Sequence, residues 1–185
     1  HFPHVTLVGV VWADSALNLP DYRSGERTFS MLTQVTGRAG RGDMSGQVII
    51  QTNQPSHYAI QMAQSHDYYS LYREKITLRK AMGYPPFSRL INLRLTGLEE
   101  REVERAATKV AEFLRHLKGT HQVEIMGPAP APLAKIKDRY RWQLRLKSQN
   151  VAVLHELCDG LLGEKGKLCP QGVSLFVDVD PESMM

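Results

Sequence analysis

Cysteine is scarce in this chain of 185 residues. The two present, Cys158 and Cys169, match neither a zinc ligand set nor a disulfide framework in their spacing. Both are expected to be small buried apolar groups in a reducing, cytosolic protein. The seven histidines show no paired metal spacing, so no metal is expected within the chain. Long apolar runs are also missing. None approaches the roughly 18 residues of a membrane span, so no membrane association is expected. The start, His1-Phe2-Pro3-His4, has no charged leader, no apolar signal core and no initiator Met. It reads as an excised piece of a longer protein.

The remaining composition is that of a globular chain, with 42% hydrophobic and 23% charged residues. The length suits one ordinary domain or two small ones. A net charge of +4 and a pI of about 9.1 favour an acidic partner such as nucleic acid. A basic surface with no such partner fits the charge equally well.

Val5–Trp12 is a continuous apolar, β-branched run, expected to be a strand buried on both faces, as in a parallel sheet. Asp14–Gly25, broken by Pro20, is expected to be a loop. Glu26–Gly37 places Phe29, Leu32 and Val35 at helical spacing, and Gln47–Thr52 reads as a short strand. Strand, helix and strand in this order suit an α/β layer. Tyr58–Met82 reads as largely helical, with Tyr68, Leu71, Tyr72 and Ile76 on its apolar side, and Gly83-Tyr84-Pro85-Pro86 stops it. Ser88–Gly97 then alternates, with Ile91, Leu93 and Leu95 on one face. Glu99–Lys118 is an amphipathic helix with Val103, Ala106, Val110, Leu114 and Leu117 along one stripe. A strand at Val123–Met126 leads to a Pro-rich loop, Gly127–Pro132. Leu133–Lys137 and Tyr140–Lys147 form a hairpin with Asp138-Arg139 at its turn. A helix at Val151–Leu162 and a strand at Val173–Asp180 complete a βαββαβ order, one of the compact ferredoxin-like motifs. Three segments result: 1–54, a helical connector 55–86, and 87–185.

The chemistry-bearing motif is Gln34-Val35-Thr36-Gly37-Arg38-Ala39-Gly40-Arg41. Gln34, Arg38 and Arg41 stand at i, i+4 and i+7, so a helix ending in a Gly-rich turn projects them to one side. Arginine offers a planar fork of charge-assisted donors to phosphate. At a helix end it can meet the γ-phosphate of a nucleotide held elsewhere, as an arginine finger does. Charges on a solvated helix end are the competing reading, because short Gly/Arg patterns arise by chance.

The segment QVTGRAGRG resembles motif VI of superfamily 2 helicases, Q-x-x-G-R-x-x-R. The wider stretch Val5–Gly42 resembles the primosomal protein N′ (PriA) family of replication-restart helicases. The resemblance rests on Ala13-Asp14, Pro20-Asp21-Tyr22-Arg23, Glu26-Arg27 and motif VI. Tyr84-Pro85-Pro86-Phe87, Gly127-Pro128-Ala129-Pro130, Arg141-Trp142-Gln143 and Asp178-Val179-Asp180-Pro181 extend it along nearly the whole chain. It implies a partial RecA-like helicase lobe 2 at 1–54 and a C-terminal DNA- or partner-binding domain at 87–185.

It further implies an ATP-dependent 3′→5′ DNA helicase, acting at branched forks to restart replication in the bacterial cytoplasm and nucleoid. Arg38 and Arg41 would be catalytic. Gln34, Gly37, Arg38 and Arg41 would face ATP and Mg²⁺ held mainly by another lobe. Asp14 and the Glu26-Arg27 pair could shape this surface, or serve as a loop-ordering ion pair or cap. The sequence departs from the family in having no Walker A loop, no DEAH-type box and none of the zinc-binding cysteines. The chain alone is therefore expected not to hydrolyse ATP, and zinc would be held outside it. A stand-alone nucleic-acid or protein-binding module without motor activity is the alternative.

Between Pro128 and Lys147 stand Lys135, Lys137, Arg139, Arg141, Arg145 and Lys147 against one acid, Asp138. Lys135, Lys137, Arg139, Arg141 and Arg145 are candidate DNA contacts, since basic side chains track phosphates. Strand alternation separates Arg139, Arg141, Gln143 and Arg145 from Tyr140, Trp142, Leu144 and Leu146. This favours the core for Trp142, with base stacking as the alternative, and puts the arginines on the external surface. A solvated hairpin face competes with the DNA reading. The resemblance adds single-stranded DNA-binding protein and primosome proteins as partners.

Overall fold

A computed structural model describes residues 5–37, 39 and 46–184. The chain is mixed α/β with two sheets, and it divides into two compact units, His1–Leu78 and Arg79–Met185.

In the first unit, β1 (Leu7–Val10) pairs in parallel with β2 (Gln47–Ile50), in register Leu7↔Gln47 to Val10↔Ile50. Between them lie α1 (Asp14–Leu17) and α2 (Ser24–Thr36). The expectation of a strand buried on both faces is not met. β1 is short, and Leu7 is 58% exposed. A two-stranded sheet leaves open edges that a residue's own apolarity cannot close. The segment expected to be a loop holds α1 and the first turn of α2. The core gathers Ala13, Phe29 and Leu32 with Ala59, Ile60 and Ala63 of α3 (Tyr58–Gln64) and Leu71 of α4 (Tyr68–Met82).

The helical stretch 58–82 is interrupted at residues 65–67, where His66 takes a positive φ of 54°. Asp67 restarts the helix, its carboxylate accepting from the Ser70 N–H at 2.9 Å. Of the expected apolar side of α4, Leu71 is buried while Tyr68 and Tyr72 are exposed.

A buried acid organises the loops beside β2. Asp14 accepts from the Thr52 hydroxyl at 2.7 Å and the Asn53 N–H at 2.8 Å, joining the start of α1 to the end of β2. Gly25, in the first turn of α2, lies under the Tyr58 ring, where an added Cβ would collide with the hydroxyl and lie 2.9 Å from Cζ.

The second unit runs β3 (Arg89–Gly97), α5 (Glu100–Leu117), β4 (Glu124–Ile136), β5 (Arg139–Ser148), α6 (Val151–Gly163), a one-turn α7 (Lys165–Leu168) and β6 (Ser174–Val179). The strands form one sheet in the order β4-β5-β3-β6, with every pairing antiparallel. Ile91, Leu93 and Leu95 of β3 and Leu144 and Leu146 of β5 face Val103, Ala106, Val110 and Leu114 of α5 and Leu154, Leu157 and Leu161 of α6. Each fully buried leucine contributes roughly 1.5–3 kcal/mol. Leu117, at the end of the α5 stripe, is exposed. Asn150 caps α6, its side-chain oxygen accepting from the Ala152 and Val153 N–H groups. Cys158 and Cys169 are free and buried.

The expected Pro-rich loop is part of β4, which continues through it with register shifts between Met126 and Ala129 and between Pro130 and Lys135. An edge strand tolerates proline because its missing N–H need not meet a neighbour. The hairpin turn is Lys137-Asp138, at φ 49° and 60°, one residue earlier than expected. Two residues of positive φ make a tight turn whose twist matches the strands.

Two outcomes follow. Gly25→Ala should lower stability by about 1–3 kcal/mol through overpacking against Tyr58, read as a lower urea midpoint. Truncating Tyr58 in the same chain should recover part of the loss. Asp14 is held below the ordinary aspartate value of 3.8, chiefly by the Asn53 N–H and then the Thr52 hydroxyl. The unfolded chain therefore binds the proton more readily. The stability from this contact is present above 3.8 and is lost as pH falls through the lowered value. Asp14→Asn should flatten that acid limb of a stability–pH curve. An unchanged limb would contradict the role.

Candidate functional site

α2 carries the described part of the motif. It starts where Asp21, its side chain fully buried, accepts from the Arg23 N–H at 2.9 Å through Oδ1 and pairs with Arg27 at 3.1 Å through Oδ2. The Asp21 carbonyl accepts from the Ser24 N–H at 2.9 Å. A carboxylate at a helix start also meets the positive end of the helix dipole. Arg27 is thus paired with Asp21, while Glu26 faces a groove of ≈ 580 Å³ along α2, together with Arg23, Arg27, Ser30, Met31 and Gln34. Asp14 sits in its buried loop clasp, so of the two readings open for it the loop-ordering one matches its contacts.

Gln34 is exposed on the last turns of α2. Gly37 ends the helix, its N–H donating to the Thr33 carbonyl at 3.1 Å. Arg38 and Arg41 lie outside the described residues.

Around α2, Tyr58 and Lys75 form a support that the sequence did not signal. Lys75 donates to the Tyr22 carbonyl at 2.8 Å and lies 5.9 Å from the centre of the Tyr58 ring. Burial, and then Glu26 and Glu74, raise the Tyr58 hydroxyl. Burial, followed by Lys75, lowers His57. His57 caps α3 by accepting from the Ala59 N–H at Nδ1.

The basic residues of the second unit separate into two groups. Lys135 pairs with Asp138 at 3.5 Å and stands over the Tyr140 ring, and Lys137 is exposed at the turn. The arginines are tied into the sheet. Arg139 donates to the Thr96 and Gly172 carbonyls, Arg141 to the Leu133 carbonyl and Arg145 to the Met184 carbonyl. The expectation of an external arginine face fails for Arg141, which is 8% exposed. Its guanidinium meets the Leu133 carbonyl of β4 at 3.3 Å. Trp142 packs against the core.

Burial pushes the Cys158 thiol up to about 11, with Asp159 adding to the effect. This disfavours the thiolate, the nucleophilic form. Among the described residues, no group of three His, Cys, Asp or Glu is placed to hold a metal, and no helix is long and apolar enough to cross a membrane.

Comparison with known proteins places these features. The primosomal protein N C-terminal domain family matches residues 80–182. The replication restart protein PriA of Synechocystis is 47% identical over 182 residues, covering 97% of this chain and 21% of that protein. The replication restart protein PriA of Bacillus subtilis is 42% identical over 185 residues, 100% of this chain and 23% of that protein. The chain thus spans less than a quarter of the length of these two relatives. Among solved structures, the de novo designed protein Foldit4 is 16% identical, with a TM-score of 0.41 over 51% of this chain and 98% of that one. A likeness so slight carries no argument. By the family match, and by similarity to the replication restart proteins along its whole length, the chain belongs to the PriA family, with the primosomal protein N C-terminal domain at residues 80–182.

Proposed function

We propose that this chain is the C-terminal part of an ATP-dependent 3′→5′ DNA helicase that binds branched replication forks and restarts replication with primosome proteins. The observation that carries the reading is the sequence pattern Gln34-x-x-Gly37-Arg38-x-x-Arg41, which begins on α2, in a chain whose relatives are named replication restart proteins. The parallel pairing of β1 and β2 around α1 and α2 is a strand–helix–strand crossover. That supports residues 1–54 as part of a RecA-like lobe. The βαββαβ order of the second unit, with strand order β4-β5-β3-β6, supports a ferredoxin-like DNA- or partner-binding domain.

The residues fit one side of a nucleotide site. Guanidinium groups can meet a γ-phosphate with two parallel donors each, and Gln34 stands exposed on α2. No G-x-x-x-x-G-K-[ST] loop occurs in the sequence to cradle the other phosphates or place Mg²⁺. In this reading, ATP and Mg²⁺ are held by another lobe, and this chain supplies the arginines that stabilise charge building up in phosphoryl transfer. Zinc is likewise held by residues outside this chain. Single-stranded DNA-binding protein is a proposed partner of the second unit.

In the full-length protein, Arg38→Ala should reduce DNA-stimulated ATP turnover by about 10³- to 10⁵-fold and leave DNA affinity intact. Arg38→Lys should fail as well, since a point charge does not reproduce the planar fork. Unchanged turnover would sink the assigned role and leave the binding-module reading in its place.

A further inference from the structure

Both long helices of the second unit pack on one face of its sheet. Alternation assigns Leu90, Asn92, Arg94 and Thr96 of β3 to the opposite face. Register adds Arg141, Gln143 and Arg145 of β5 and Phe176 and Asp178 of β6. One end of this face is covered. Leu90 is 1% and Asn92 3% exposed, and Arg145 holds the Met184 carbonyl there at 3.1 Å. The other end is open. Phe176 is 49% exposed, and the Arg94 guanidinium lies over its ring at 5.6 Å.

The open end carries two cations, Arg94 and Arg141. Among the described residues neither pairs with a carboxylate; Arg141 meets the Leu133 carbonyl. A guanidinium has five donors, and the bond to Leu133 engages one nitrogen of Arg141. Arg94 and Arg141 also repel each other, and this adds to burial in lowering Arg141. Two neighbouring cations, one of them nine-tenths buried, favour an incoming anion. An exposed aromatic ring beside a guanidinium plane adds two surfaces on which a flat ring can stack.

We propose that this open sheet face binds single-stranded nucleic acid, with Arg94 on a phosphate, Arg141 reinforcing the field behind it, and a base stacked at Phe176. The choice of nucleic acid over an acidic peptide rests on the reading of the chain as part of a DNA-processing protein. The cationic site itself does not.

The test is the binding of labelled oligo-dT to the whole chain, followed by anisotropy across a salt series. Phe176→Ala should weaken binding by about 5- to 150-fold, the effect of losing one stacked base, without changing the salt dependence. Arg94→Ala should make the log–log salt slope shallower by about 0.7, the signature of one lost single-strand phosphate contact. Phe176→Leu keeps apolar surface at the position. It should preserve the urea midpoint and still weaken binding, which separates stacking from folding. Lys135→Ala and Lys137→Ala should leave the Phe176 and Arg94 effects in place. Absence of oligo-dT binding at low salt, or wild-type affinity and slope in the Arg94 and Phe176 variants, would overturn the proposal. So would an acidic peptide that binds and is lost with Arg94→Ala while oligo-dT is unaffected. None of these results bears on ATP turnover in Arg38→Ala, so either reading can fail alone.

Discussion

A buried carboxylate holds the turn where α2 begins. Asp21 joins three constraints: its Oδ1 holds the Arg23 N–H, its Oδ2 holds Arg27, and its carbonyl holds the Ser24 N–H. Asp21 is fully buried while Arg27 is partly exposed, so removing Arg27 would leave a buried carboxylate with less compensation. These contacts hold the first turn of α2 in place. Thirteen residues on, Gln34 and then Gly37 fall where the groove and the helix end place them. Gly25 and Tyr58 hold the same turn against α3, and Lys75 ties α4 to the loop before it.

The second unit solves a different problem. It concentrates cations in one hairpin and must keep them from disrupting the sheet. Alternation sends Tyr140, Trp142, Leu144 and Leu146 towards the helices and the arginines away from them. Bonds from Arg139, Arg141 and Arg145 to backbone carbonyls then hold the guanidinium groups against the sheet. What began as a run of positive charge becomes an ordered cationic face with an aromatic ring at its open end.

Much of this was legible in the sequence where the information is local. The stripe of α5 and the alternation of β3 and β5 depend on spacing alone, and Val103, Ala106, Val110 and Leu114, with Ile91, Leu93 and Leu95, are buried as expected. The helix carrying Gln34 was legible from the spacing of Phe29 and Leu32, both buried. What could not be read depends on distant partners. The exposure of β1 reflects the number of strands beside it, which Val5–Trp12 does not encode. The extension of β4 through Pro128, Pro130 and Pro132 depends on its place at the sheet edge. The burial of Arg141 depends on the Leu133 carbonyl eight residues away, and the anchoring of Arg145 on Met184. Arg94 and Phe176 carried no signal, because they come together only through the β3–β6 pairing.

The central claim is that this chain contributes the arginine side of a nucleotide site whose cradle lies elsewhere. The most direct measurement is a structure of the full-length protein with ADP and a planar or tetrahedral γ-phosphate mimic such as aluminium fluoride. The account predicts the Arg38 or Arg41 guanidinium within about 2.7–3.2 Å of the mimic, with Gln34 on the same side. Both arginines turned away from an occupied site, with the mimic's charge met entirely by other residues, would contradict it.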